Sequence, residues 1–174
     1  MAKRILIIAT NGFEQSELMD PKAALENAGF KTVVASPVAG EIKGWKDGDW
    51  GQSVKVDASL DAVSEGDFDA LLLPGGQMNP DILRMDDRVV DLVEDFNDAG
   101  KPIAAICHAP WLLIEADIVN GKTVTSWPSV QSDLRNAGAN VVDQEVAIDG
   151  NLITSRKPDD IPAFNKALIA ALGE

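Results

Sequence analysis

Residues 101–111 read KPIAAICHAPW, and the predicted fold is organised around this stretch. The apolar run at 103–106 leaves no polar face for water, so it predicts a short strand that is buried on both faces. The run ends at Cys107, and Pro110 suits the first turn of a helix because its missing N–H leaves no helical hydrogen bond unmade. The sequence therefore places a cysteine where a strand turns sharply into a helix.

Cys107 is the only cysteine of the chain, and the neighbouring His108 is its only histidine. The free N–H groups and positive end of a helix favour a thiolate over a thiol, and the thiolate is the nucleophilic form. An ordinary thiol, with a pKa of about 8.5, is mostly protonated at neutral pH. We expect Cys107 to be an activated nucleophile. The alternative is a small core side chain, which the adjacent histidine disfavours.

Three further buried strands are predicted at residues 5–9, 32–35 and 69–73, with apolar residues at helical spacing between them. Strands that alternate with helices favour a doubly wound, mostly parallel sheet covered by helices on both faces. We therefore expect an α/β fold, a three-layer α/β/α sandwich. A length of 174 residues suits a two-sided core, so a single domain over residues 1–174 is expected.

Two regions are predicted to lie at the margins of this sheet. Residues 40–53 are rich in glycine and charge and suggest a hairpin outside the main sheet; Trp45 and Trp50 either form a partner surface there or fold back onto the core. Residues 141–142, 146–148 and 152–154 are predicted to be edge strands, the last two joined by a tight turn.

Candidate site residues follow two of the predicted strands. In open α/β sheets ligands bind at the carboxyl ends of the strands, and Glu14 follows the first strand. Gly75 and Gly76 end another strand and could direct their amide N–H groups at a ligand, as in an oxyanion hole. A solvated loop glutamate and a plain tight turn are the alternatives for these positions.

Composition excludes several classes of protein. The net charge of −13, from 28 acidic and 15 basic residues, argues against nucleic acid as a partner. No apolar run reaches the roughly 18 residues of a membrane span, and the first residues do not resemble a signal peptide. One cysteine allows no internal disulfide, so we expect a cytoplasmic protein, and one adjacent Cys-His pair lacks the spacing of a metal site.

Three motifs, together with Glu14 after the first strand, carry a family resemblance: PGG at 74–76, CHAP at 107–110 with its preceding strand, and TSWPSV at 125–130. With IDGNLITSRKPDD at 148–160 and the closing helix, nearly the whole chain resembles the PfpI family of intracellular cysteine proteases and deglycases. That family belongs to the class I glutamine amidotransferase-like superfamily. The resemblance implies a flavodoxin-like sandwich with the cysteine in a strained nucleophile elbow.

The resemblance also implies roles for residues of this chain. Cys107 matches the family nucleophile and His108 the histidine beside it. Glu14 matches the glutamate that hydrogen-bonds the sulfur, and such a carboxyl is held protonated by the neighbouring negative charge. Gly75 and Gly76, with the amide of His108, match the oxyanion hole.

Three assignments reach beyond this cluster. Asp81 matches an acidic residue that orients the histidine of a neighbouring subunit; because adjacent side chains on an elbow usually diverge, His108 would need this partner, which implies a homo-oligomer of at least two chains. Trp127 is expected to be a pocket wall or a core residue. Arg156 is expected to hold an anion near the sulfur or to form a surface ion pair.

Taken together, the sequence favours a cysteine-dependent hydrolase that needs no cofactor. Its substrates would be dicarbonyls or glycated adducts, as for a glyoxalase or deglycase, or peptides, as for an intracellular protease. The alternative is a noncatalytic redox-sensing stress protein or chaperone that uses an oxidisable cysteine.

Overall fold

A seven-stranded sheet forms the centre of the computed structural model, which describes residues 1–173. The strands of the chain are β1 (Arg4–Ile8), β2 (Phe13–Glu14), β3 (Lys31–Ser36), β4 (Glu41–Lys46), β5 (Asp49–Lys55), β6 (Ala58–Ser59), β7 (Ala70–Leu73), β8 (Ile103–Ile106), β9 (Thr123–Val124), β10 (Asn140–Val141), β11 (Ala147–Asp149) and β12 (Leu152–Ser155). The central order is β11-β12-β8-β7-β1-β3-β6, and only the β11–β12 pair is antiparallel.

Helices cover both faces of this sheet. They are α1 (Gln15–Asn27), α2 (Met78–Leu83), α3 (Asp87–Asp98), α4 (Pro110–Glu115), α5 (Gln131–Asn136) and α6 (Ile161–Ala171). Side chains of α1 and α6 pack into one core, and those of α3, α4 and α5 into another. The predicted three-layer α/β/α sandwich is confirmed.

Strand β1 shows how the sequence builds both cores at once. Successive side chains of a strand point to opposite faces of its sheet. Leu6 and Ile8 accordingly pack with α3 and α4, whereas Ile5 and Ile7 pack with α1 and α6. All four side chains are fully buried, which is why the strand is a continuous apolar run.

The predicted edge strands need one correction. Residues 152–154 belong to β12, which lies between β11 and β8 and is buried along its whole length. The outermost strand at this edge is β11, while residues 140–141 pair with β9 in a separate two-stranded sheet. Apolar periodicity does not report that one hairpin strand covers the other, so the prediction placed both at the edge.

The predicted hairpin at residues 40–53 is confirmed. Strands β4 and β5 pair with each other and, through β4, with β2 in a three-stranded sheet beside the main one. Ile42 anchors the hairpin in the core. Trp45 and Trp50 contact each other edge-to-face with ring centroids 5.2 Å apart, and Trp50 is exposed.

None of the helices within residues 1–173 is long and apolar enough to cross a membrane.

Candidate active site

Cys107 occupies a strained turn between β8 and α4. Its φ of +66° lies in the left-handed region, which costs a non-glycine residue on the order of 1–3 kcal/mol and persists only when neighbours hold it. Two backbone hydrogen bonds do so: the Cys107 amide donates to the Ser155 carbonyl at 3.0 Å, and the Trp127 amide donates to the Cys107 carbonyl at 2.9 Å. The predicted nucleophile elbow is therefore present.

The sulfur of Cys107 is surrounded by nitrogen atoms of this same chain. His108 Nδ1 lies 3.1 Å from Cys107 Sγ, and the backbone amides of Gly76 and His108 interact with the sulfur. The expectation that the two adjacent side chains diverge is wrong, because the imidazole contacts the sulfur within one chain. The imidazole can exchange a proton directly with the thiol.

Glu17, not Glu14, is the acid beside the sulfur. Glu17 is fully buried on α1, next to the Cys107 thiol and the amides of Gly75 and Gly76. Among residues 1–173, neither Glu17 carboxyl oxygen makes a hydrogen bond of good geometry, so these are close polar contacts. Glu14 is half-buried, and its carboxyl interacts with Asp47 and Ser16 instead.

This correction has a simple helical cause. Glu14 is the cap residue immediately before α1 and has extended backbone, whereas Glu17 lies in the first turn of the helix, where residues four apart share a face. The buried face of α1 consists of Glu17, Leu18, Pro21 and Leu25. Glu17 therefore points toward the sheet edge. The signal was available in the sequence, since Glu17 lies next to Leu18 and four residues before Pro21. The prediction took the first acidic residue after the strand.

The two glycines let backbone approach this cluster closely. A side-chain Cβ at Gly75 would lie 2.7 Å from the Cβ of Cys107, and one at Gly76 would lie 2.6 Å from both the Glu14 nitrogen and the Gly12 oxygen. Real Cβ atoms do not approach other atoms so closely. Gly76 also has a φ of +86°, which glycine adopts without strain.

Aromatic rings enclose the imidazole. The rings of His108 and Trp127 are stacked with centroids 5.7 Å apart, and Trp111 meets His108 edge-on at 5.1 Å. Trp127 retains 36% of its accessible surface, whereas His108 retains 8%. Trp127 is thus an exposed ring stacked on the imidazole and not a core residue, and its role as a pocket wall stays a prediction.

Comparison with known proteins shows the family of this chain. Residues 3–171 match the model of the DJ-1/PfpI family. The chain belongs to the DJ-1/PfpI family.

Its relatives have several names. It is 44% identical to Protein/nucleic acid deglycase 2 of Escherichia coli, and 46% identical to General stress protein 18 of Bacillus subtilis, each over 99% of both chains. It is also 44% identical to "Putative cysteine protease YraA" of B. subtilis, over 95% of this chain and 96% of that one. Among solved structures, Drosophila melanogaster DJ-1beta matches with a TM-score of 0.90 at 34% identity, covering 100% of this chain and 92% of the other.

Burial dominates the electrostatics of this DJ-1/PfpI site. It raises the pKa of Glu17 to about 8, with a further contribution from the charge of Glu14. Burial also raises the pKa of Cys107, as does a negative charge on Glu17, while the amides of Gly76 and His108 act in the opposite direction. The helix end alone was expected to lower the pKa of Cys107. The pKa is raised instead, because the sulfur has been removed from water.

His108 responds to burial in the opposite sense from the two acids. Desolvation lowers the pKa of its imidazole below the usual value, so the ring is neutral at physiological pH. A neutral imidazole has one nitrogen free to accept a proton. His108 is therefore suited to take the thiol proton across the 3.1 Å contact.

Arg156 does not face the sulfur. Its guanidinium donates two hydrogen bonds to the Asp160 carboxylate, at 2.9 and 3.0 Å, and one to Asp143 at 3.0 Å. The expectation that Arg156 holds an anion near Cys107 is therefore replaced by its alternative, an ion pair. Asp160 is 3% exposed, so one side of this pair is buried.

Asp81 lies on the exposed side of the first turn of α2. Within residues 1–173 of a single chain, no hydrogen bond or ion pair joins it to His108. Its predicted contact with a neighbouring subunit stays a prediction. In the same part of the chain, no group of three or more His, Cys, Asp and Glu side chains is arranged to hold a metal ion.

Proposed function

We propose that this chain is a cysteine-dependent hydrolase of the stress response that acts on small dicarbonyls or on the glycated adducts they form. The observation that carries the proposal is the contact of Cys107 Sγ with His108 Nδ1 at 3.1 Å, beside the Gly76 and His108 amides. A base next to a nucleophile, with N–H donors grouped nearby, is the arrangement of covalent catalysis on carbonyl carbon. Relatives named as a deglycase and as a general stress protein support it.

The chemistry would begin with the thiol proton. His108 accepts it from Cys107, and the sulfur then forms a bond to the aldehyde carbon of the substrate. The electron pair of the carbonyl bond moves to oxygen, where the amides of Gly76 and His108 stabilise the negative charge. The imidazolium returns its proton to that oxygen, giving a neutral hemithioacetal. The hydrogen on the former aldehyde carbon then moves to the neighbouring carbon, so that the first carbon is oxidised to a thioester and the second is reduced to an alcohol. Hydrolysis of the thioester by one water would release a hydroxy acid and return the Cys107 thiol.

Access to the sulfur favours small substrates. Cys107 is 5% exposed, so a peptide bond of a folded chain could not reach it without rearrangement, whereas a three-carbon dicarbonyl is far smaller. Peptide hydrolysis also requires protonation of an amine leaving group. We therefore rank proteolysis second, supported by the name of the B. subtilis relative YraA and by the family.

A noncatalytic redox sensor has less support. Sensor cysteines are solvent-accessible and have low pKa values. Cys107 is buried, and its burial raises the thiol pKa. Oxidation at this sulfur would be slowed on both grounds.

The test is turnover of methylglyoxal to lactate and of an unstructured peptide. We expect the wild-type protein to convert methylglyoxal faster than the peptide, and Cys107→Ala and His108→Ala to lose the conversion. The proposal fails if the wild-type protein converts neither substrate, or if Cys107→Ala retains wild-type rates. Faster cleavage of the peptide would instead support the protease.

We further propose that Asp81 of one subunit orients His108 of another in a homo-oligomer. Its exposed position on α2 leaves it available to a second chain. Because His108 already contacts Cys107 within its own chain, such a carboxylate would fix the ring rather than bring it to the sulfur.

A further inference from the structure

Asn79 is a fully buried polar side chain that the proposed chemistry does not use. It lies in the first turn of α2, four residues after Gly75. Its Oδ1 accepts a hydrogen bond from the Thr10 amide at 2.8 Å, and its Nδ2 donates to the carbonyls of Pro74 at 2.9 Å and Gly75 at 3.1 Å. Both amide hydrogens and the oxygen are therefore engaged.

The two carbonyls belong to the peptide groups that carry the site amides. A peptide unit is planar, and in its trans form the C=O and N–H point in opposite directions. No peptide bond among residues 1–173 is cis. When Asn79 donates to the Pro74 carbonyl, the Gly75 N–H of that peptide group points away from Asn79. Likewise, when Asn79 donates to the Gly75 carbonyl, the Gly76 N–H points away from Asn79.

The opposite side of these peptide groups is the active site. The amides of Gly75 and Gly76 lie beside the Glu17 carboxyl, and that of Gly76 also interacts with Cys107 Sγ. Asn79 thus contacts the carbonyl side of the same two peptide groups whose N–H side faces the acid and the nucleophile.

Because Gly75 and Gly76 are glycines, the orientation of these two peptide planes has to be fixed by contacts. A pair of glycines accepts positive and negative φ with similar ease, so a peptide plane between them can rotate at little cost. A rotated plane would present a carbonyl oxygen, rather than an N–H, to a negatively charged sulfur. The Glu14 amide donates to the Gly75 carbonyl at 3.2 Å and helps to hold one plane; for the Pro74–Gly75 plane, the Asn79 side chain supplies the contact.

We propose that Asn79 is a positioning residue that fixes the 74–75 and 75–76 peptide planes, so that the Gly75 and Gly76 N–H groups face Glu17 and Cys107. It acts through these amides and does not touch the reacting atoms. The proposal deepens the proposed function and rests on it only where turnover is concerned.

The experiment measures the rate of Cys107 alkylation by iodoacetamide across pH, in wild type and Asn79→Ala. Cys107 is the only thiol, so the label reports one site without any substrate. The amides favour the charged form of the sulfur, so their misplacement should move the profile to higher pH and lower the rate near pH 7 about tenfold, the effect of losing one hydrogen bond to a charged group. Methylglyoxal turnover should fall through kcat more than through KM.

Asn151→Ala is the matched control. Asn151 Nδ2 donates to the Lys101 carbonyl at 3.0 Å and to Asn97 Oδ1 at 3.2 Å, at the other end of β8 from the elbow. Both variants should lower the Tm, but only Asn79→Ala should shift the alkylation profile. A folded Asn79→Ala protein whose profile overlays that of wild type would overturn the proposal.

Asn79→Leu keeps the test decisive if Asn79→Ala does not fold. It preserves the volume, has no donor for either carbonyl and adds no charge near the sulfur. We expect its alkylation profile to shift in the same direction, and an unshifted profile would overturn the proposal. Because alkylation needs no turnover, a wild-type protein inactive on dicarbonyls would refute the proposed function and leave the role of Asn79 to this measurement.

Discussion

Glu17 and Cys107 are two acids that share one buried site, so their protons are coupled. Burial raises the pKa of each, and a charge on either opposes a charge on the other. The pair therefore carries at most one negative charge near neutral pH. A proton on Glu17 can be donated to the sulfur when the thiol ionises, which gives the buried carboxyl a chemical use.

Replacing Glu17 with glutamine should change how stability depends on pH. The pKa of Glu17 is about 8 in the folded protein and 4.5 in the reference state, so the folded chain retains a proton that the unfolded chain releases between these values. This carboxyl therefore favours folding below pH 4.5, and its contribution is lost as pH rises toward 8. Relative to Glu17→Gln, wild type should lose roughly 3 kcal/mol of stability between pH 5 and pH 8.

Urea unfolding at the two pH values measures this difference. Glu94→Gln, at an exposed position on α3, is the control and should leave the pH dependence of wild type unchanged. Parallel stability curves for wild type and Glu17→Gln would contradict the burial argument.

Arg156→Met should destabilise the protein and leave catalysis intact. The substitution removes the partner of Asp160, whose 3%-exposed carboxylate would then be buried without a cation. We expect a loss of about 2–4 kcal/mol in urea unfolding, because an unpaired buried charge is costly. The KM for methylglyoxal should not change. A raised KM at unchanged stability would restore the anion-holding role.

At the scale of elements, the turns after β7 and β8 carry the residues of the proposed chemistry, and the regular segments position those turns. The apolar runs predicted β1, β3, β7 and β8, and the helical spacing predicted α3 and α6, because burial on two faces or on one stripe leaves a clear periodic signal. Contacts between distant segments left no such signal, so the position of β12, which depends on the strand that covers it, was missed. For Glu17 a signal was present, because it lies next to Leu18 and four residues before Pro21, but the prediction took the first acidic residue after the strand.

The β7–α2 turn should tolerate no side chain at Gly76. Gly76→Ala combines a φ of +86° with a Cβ only 2.6 Å from backbone atoms, whereas Gly29→Ala has a φ of +90° but open space around its Cβ. Gly29→Ala should cost about 1–2 kcal/mol, the strain of the left-handed region. Gly76→Ala should cost more than Gly29→Ala in urea unfolding and should also abolish turnover. Equal losses of stability would show that the turn can move aside.

At the scale of the whole molecule, the sheet brings residues far apart in sequence to one edge. Cys107 follows β8, Gly75 follows β7, and Glu17 lies on the helix that follows β1 and β2, so three neighbouring strands in the order β8-β7-β1 supply the site. This agrees with the rule that open α/β sheets place ligands at the carboxyl ends of their strands. Applied to the sequence, this rule predicted the sheet edge at which the candidate site lies. It says nothing about a surface shared with a second chain.

Complementation tests whether subunits share a site. If Asp81 acts in trans, Asp81→Ala and Cys107→Ala are each inactive, but a mixed oligomer contains an intact Cys107–His108 pair facing an intact Asp81. Unfolding and refolding the two together should restore about a quarter of wild-type turnover for a symmetric dimer with statistical exchange. No recovery from oligomers shown to be mixed, or full activity of Asp81→Ala alone, would exclude the shared site.

The Gly75 carbonyl accepts hydrogen bonds from both the Asn79 side chain and the Glu14 amide, and Glu14 is the cap residue of the helix that carries Glu17. The helix that carries the acid and the turn that carries the Gly75 and Gly76 amides are therefore joined through one oxygen atom, and we expect a mutation that moves one to move the other. Evolution toward larger substrates would have little freedom on that side of the sulfur. Diversification of substrate range would instead be expected at Trp127, across the imidazole, where the wall is partly open to solvent.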